Sequence, residues 1–119
     1  MGSVRHTQMF EDVEYGFNMS ITSSIPPDSG SSSSSALAIC GMFAVRLSNQ
    51  LDTDAEVMTC TTAEAEWFCG TRGGMMDHAT MMYSCDDSVL RLTFNPFSQQ
   101  AIQLPKEMSD VKFATLFTH

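Results

Sequence analysis

Basic residues are scarce in this chain: 6 Lys and Arg stand against 14 Asp and Glu, giving a net charge of −8 and a pI near 4.5. A surface of that sign repels phosphate backbones and anionic bilayers, so neither nucleic acid nor a membrane is an expected partner. Long apolar runs are missing too. The longest, Ala36 to Val45, is too short to span a bilayer, and Met1 to Phe10 lacks the charged-then-apolar order of a secretion signal, so a cytoplasmic location is expected. Cys40, Cys60, Cys69 and Cys85 show no C-x-x-C spacing, and His6, His78 and His119 are dispersed. That pattern speaks against zinc and for buried free thiols in a reducing compartment. Without a secretion signal, the sequon Asn18-Met19-Ser20 is read as chance. No internal repeat is visible, and 119 residues suit one domain, with 1–14 expected to be a disordered N-terminal segment.

What the chain does have is IPPDSGSSSSSAL, from Ile25 to Leu37. Pro26 and Pro27 hold the backbone extended, and Gly30 permits a tight turn. From about Ser33 the pattern turns helical, with Leu37, Cys40, Gly41, Ala44 and Leu47 along one face. A helix that starts inside a serine run presents unpaired N–H groups, the positive end of its dipole and small side chains, all of which favour an anion. Serine hydroxyls add oxygens of the type magnesium prefers. Taken alone, five consecutive serines fit a flexible linker equally well. Their position favours a phosphate-binding turn, because Phe17, Met19 and Ile21 alternate like a strand before them and an apolar helix follows. No Gly-Lys-Ser/Thr follows the turn, so it is not a Walker A loop, and neutralising phosphates falls to magnesium, backbone dipoles and Arg72.

The second segment is GTRGGMMDH, Gly70 to His78, in which the carboxylate of Asp77 follows a glycine pair. The preceding helix should start near Thr53, which has capping-box spacing to Glu56, and stop at Gly70. Its expected inner face is Val57, Cys60, Ala63 or Glu64, and Trp67 or Phe68, with Glu66 read as a solvated surface residue in preference to one that positions the Asp77 loop. A short helix should follow Gly73-Gly74, its Met75, Met76, Met81 and Met82 serving as adaptable core filling. Asp86-Asp87 reads as a turn. Val89 to Phe94, Ala101 to Leu104 and Val111 to Phe117 read as strands, with a break at Asn95-Pro96. Strand, helices and then strands suit a two-layer α+β domain.

These residues resemble the GHMP small-molecule kinases, and within them the galactokinases. PPDSGSSSSSAL is similar to the family's second motif, a proline-preceded Gly-Leu-Ser-Ser-Ser followed by alanine, and AEAEWFCGTRGGMMDHA is similar to the segment ending in Gly-x-Met-Asp-Gln. The twin prolines, GTRGG and LTFNPFSQQAIQLP look closest to the N-acetylgalactosamine kinase and eukaryotic galactokinase branch, over about Phe17 to Pro105. The resemblance implies an ATP- and magnesium-dependent transferase that phosphorylates a sugar C1 hydroxyl. On that basis Gly30, Ser32, Ser33, Ser34 and Ser35 match the phosphate loop, and Ser34 the magnesium ligand. Asp77 matches the aspartate that serves as catalytic base or orients the sugar C1 hydroxyl, and Gly74 a glycine whose backbone lies beside the sugar.

The chain departs from the family pattern at Ser31, where leucine is usual, and at His78, where glutamine is usual. No match to the family's first motif, which holds the sugar hydroxyls, or to its third, which completes the nucleotide site, is found. The expectation is a partial GHMP kinase N-terminal domain over 1–119, with a partner chain able to supply the missing lobes. The competing expectation is a truncated non-catalytic protein acting as a sensor, an assembly subunit or a vestigial fragment.

Overall fold

A computed structural model describes residues 1–27, 29–108, 112 and 114. Helices α1 (Gly2–Phe10), α2 (Ser33–Ser48), α3 (Ala55–Glu66) and α4 (Met76–Tyr83) precede strands β1 (Ser88–Phe94) and β2 (Phe97–Gln103). The class is α+β, as the residue pattern indicates. The chain forms two compact units, Met1–Met82 and Tyr83–His119. No helix among the described residues is long and apolar enough to cross a membrane.

In the first unit, Ile39, Met42, Val45, Met58 and Ala65 form the core, with Val4, Val13, Phe17, Phe43 and Met82 packed against it. Residues 1–14, expected to be disordered, instead carry α1, which docks on α2 and α3. Close approach makes this docking possible. A Cβ on Gly2 would lie 2.3 Å from the Ala65 carbonyl oxygen, so only glycine fits there. Ser3 Oγ donates to the Ala38 carbonyl at 2.8 Å, His6 Nε2 lies 3.0 Å from Glu64 Oε2, and Thr7 Oγ1 donates to the Ser3 carbonyl. A short helix of modest amphipathicity gains most of its stability from such contacts.

The helices fall close to their expected positions, but their buried faces do not. On α2 the inward residues are Ser35, Ile39, Met42, Val45 and Arg46, while Leu37, Cys40 and Leu47 are exposed. Residues from Ala36 to Leu47 are apolar at almost every position, so spacing alone does not select a face. Ser35 and Arg46 turn inward because each finds polar partners there. Arg46 is 2 % exposed, with its guanidinium bonded to the Glu11 carboxylate and the Asp52 carbonyl. On α3, Met58, Thr59, Thr62 and Ala65 are buried, and Trp67 and Phe68 are exposed. Thr59 tolerates burial because its hydroxyl donates to the Ala55 carbonyl at 2.7 Å. The N-cap is Asp54, one residue beyond the expected Thr53, and its carboxylate accepts from Glu56 N at 3.0 Å. A 3₁₀ turn over Trp67–Cys69 leads to Gly70, whose φ of +86° ends the helical run at the expected residue.

Phe17, Met19 and Ile21 are not on a strand. The stretch 12–24 is irregular, and no strand among the described residues pairs with it. Asn49 holds its start, accepting from Glu14 N and Tyr15 N and donating to the Tyr15 carbonyl.

In the second unit, β1 and β2 pair antiparallel from Ser88↔Gln103 to Phe94↔Phe97, with Asn95-Pro96 as the turn. β1 matches the expected strand to within one residue, whereas β2 starts four residues before the expected Ala101. Asp86-Asp87 is a turn, with Asp87 at φ 56°. The strand expected over Val111 to Phe117 lies outside the described residues, apart from 112 and 114, which are irregular.

Candidate functional site

The serine turn and the Asp77 segment are 45 residues apart in sequence and meet in the fold. Gly30 takes φ +72° and Ser32 φ 53°, so the chain passes twice through the left-handed region before α2 begins. The first helical hydrogen bond runs from Ala36 N to the Ser32 carbonyl at 3.0 Å, which leaves the amides of Ser33, Ser34 and Ser35 ahead of it without intrahelical acceptors. Ser32 stands at the N-cap yet does not cap its own helix. Its hydroxyl donates instead to Asp77 Oδ2 at 2.7 Å, a charge-assisted bond that pins the half-buried carboxylate beside the start of α2. Asp77 lies in the first turn of α4, where the dipole favours a negative charge.

A second bridge lies three residues along α2. Ser35, buried, donates through Oγ to Glu66 Oε1 at 3.0 Å, and His78 Nε2 lies 3.4 Å from the same oxygen. Glu66 is therefore not the solvated residue that its charge suggested, since its side chain is only 14 % exposed. It closes α3 immediately before the Trp67–Cys69 turn, four positions ahead of Gly70, with Ala65 beside it in the core. Ser34 is exposed, and it shares with Glu66 a cavity of about 440 Å³ whose apolar wall includes Phe17, Met19, Ile21 and Leu37. That size accommodates a small organic ligand.

Ser34 and Glu66 both line this cavity, and a hydroxyl and a carboxylate are the oxygen donors that a hard cation prefers. No group of three or more His, Cys, Asp or Glu that could hold a metal occurs among the described residues, so a cation here would take its remaining ligands from phosphate and water. Arg72, expected to help neutralise phosphate, instead has its guanidinium 5.5 Å from the centre of the Trp67 ring. Gly74 is exposed, and a Cβ there would meet nothing within 4 Å, so the space around it is open.

The cysteines are free, as expected, but not generally buried: Cys40, Cys69 and Cys85 are exposed. Burial, with Glu56 and Glu64 nearby, raises the pKa of Cys60 above its ordinary value. A raised pKa disfavours the thiolate form.

A family model for the N-terminal domain of GHMP kinases matches residues 3–85. The chain belongs to the GHMP kinase family. No solved structure matches it. The matched span contains the serine turn, Glu66, Asp77 and His78, so the two bridges fall within the GHMP kinase domain. Sequence reasoning missed Glu66 and the buried position of His78. The position of Glu66 follows from the inward register of α3, which the exposed Trp67 and Phe68 obscured, whereas His78 is buried on α4 beside Ala79.

Proposed function

We propose that this GHMP kinase chain is a galactokinase-like segment that binds MgATP over Gly30 and Ser32 to Ser35 and directs Asp77 at a sugar C1 hydroxyl, on galactose or N-acetylgalactosamine. The observation that carries this reading is the Ser32–Asp77 hydrogen bond, which sets a carboxylate beside an anion-favouring helix start. Phosphoryl transfer asks mainly for positioning and charge stabilisation. Asp77 takes the proton of the C1 hydroxyl as the new oxygen–phosphorus bond forms at the γ-phosphate and the bond to the β-bridging oxygen breaks, releasing ADP. Gly74, three residues before Asp77, leaves open space for the sugar. The Ser34 hydroxyl and the Glu66 carboxylate would hold magnesium, which would supply neutralisation of the phosphate charge. The four free cysteines accord with a reducing, cytoplasmic setting.

Ser34→Ala removes one cation ligand and should weaken MgATP binding several-fold without altering the melting temperature, because Ser34 is exposed. Calorimetry of both proteins checks this, and equal affinities would sink the assignment of Ser34.

The 119 residues alone should show little or no sugar-dependent ATP consumption. The family match is to one domain, and misplacing substrate by about 1 Å costs on the order of a hundredfold. A second chain that supplies the remaining lobes would restore turnover. Robust galactose-dependent turnover by the purified chain would contradict the expectation, whereas no turnover in any assembly would favour a sensor or assembly subunit.

A further inference from the structure

Two consecutive residues of α4 reach the first turn of α2 by separate routes. Asp77 accepts directly from Ser32, and His78 reaches Ser35 through Glu66. His78 is 1 % exposed, and among the described residues neither of its ring nitrogens has a hydrogen bond of normal geometry. At 3.4 Å His78 Nε2 faces the Glu66 carboxylate closely but falls short of a formed hydrogen bond. An apolar side chain of similar volume would fill this space without burying unpaired nitrogens, so packing alone does not account for an imidazole here. The partner in reach is Glu66 Oε1, the atom that also receives the Ser35 hydroxyl.

We propose that His78 is a positioning residue. By drawing Glu66 Oε1 to the junction with Ser35, it fixes the first turn of α2 in register with α4, so the phosphate loop and Asp77 move as one piece. The identity of the anion rests on the kinase reading above, whereas the mechanical role of His78 does not. Three elements meet at one carboxylate oxygen: α2 through Ser35, α3 through Glu66 and α4 through His78. Ser35 and His78 should therefore be energetically coupled, each acting through Glu66.

The test compares wild type, His78→Gln, His78→Met, Ser35→Ala and the His78→Met/Ser35→Ala double variant, by amide hydrogen exchange at Ala36 to Ala38 and by calorimetric titration with MgATP. Gln retains a side-chain donor for Glu66, and Met fills the volume without one. His78→Met and Ser35→Ala should each raise exchange at Ala36 to Ala38 and weaken MgATP binding about 5- to 10-fold, the double variant should be no worse than the worse single, and His78→Gln should stay within about twofold of wild type. Wild-type exchange in His78→Met would overturn the proposal, as would single effects that multiply in the double variant. If wild type binds no MgATP, the kinase reading fails while the exchange comparison still decides the role of His78.

Discussion

In a catalytically complete assembly, this chain together with the lobes that grip the sugar, Asp77→Asn should lower turnover about 10²- to 10⁴-fold while leaving MgATP affinity nearly unchanged. Asparagine keeps the size of the side chain, and its amide oxygen still accepts from Ser32 Oγ, so the 2.7 Å tie between α4 and the serine turn survives. What disappears is the charge and the ability to hold the substrate proton. If Asp77 were only a first-turn acid complementing the dipole of α4, the same change would cost on the order of 1 kcal/mol of stability or less and would spare turnover. Measuring turnover, nucleotide affinity and melting temperature on this one variant separates the two roles. Unchanged turnover ends the assignment of Asp77 as the base.

The second large effect lies away from the site. Glu11→Ala should destabilise the first unit by about 3 kcal/mol, because among the described residues it leaves the buried Arg46 guanidinium with only the Asp52 carbonyl as a partner. The figure is at the low end of the range for breaking a buried pair, since the Glu11 side chain remains 28 % exposed and partly solvated. Against a total stability of roughly 5–15 kcal/mol, that loss moves the urea midpoint visibly. Replacing both partners with apolar residues, Glu11→Leu with Arg46→Met, should recover most of it, because no uncompensated charge stays inside. A loss below about 0.5 kcal/mol for Glu11→Ala would mean that water reaches Arg46 and the pair is a surface one.

The parts of this fold that were legible in the sequence are those set by local chemistry. Gly30, Gly70 and the Asn95-Pro96 turn punctuate the chain where their backbone preferences require it. The α2 start within the serine run and the α4 start just past Gly73-Gly74 also followed from the residue pattern. Burial faces were not legible. α2 is apolar almost all round, and α3 buries Thr59 and Thr62, which satisfy or forgo their own hydroxyls, while Trp67 and Phe68 face outward. Counting hydrophobic residues assigns both helices the wrong side. The same error hid Glu66. A charged residue at a helix end reads as solvated unless its tertiary partners are known, and Ser35 and His78 are 31 and 12 positions away.

At the site, sequence motifs named the serine turn and Asp77 but could not give the distance between them. That distance turns two motifs into one arrangement, because a carboxylate hydrogen-bonded to the N-cap serine of a helix whose first amides are unpaired can face a nucleotide phosphate and an acceptor hydroxyl together. Phe17, Met19 and Ile21, which read as a strand, lie instead in an irregular stretch and contribute apolar side chains to the wall of the neighbouring cavity.

The central claim is that the start of α2 is a magnesium-dependent nucleotide site coupled to Asp77. Amide chemical shifts of the labelled chain, followed during titration with ATP in the presence and absence of magnesium, test it most directly. The account predicts saturable shifts at Ser33 to Ala36 and at Asp77 and His78 when magnesium is present, and much weaker ones without it. Shifts confined to other residues, identical behaviour with and without magnesium, or no shifts at any concentration would contradict it.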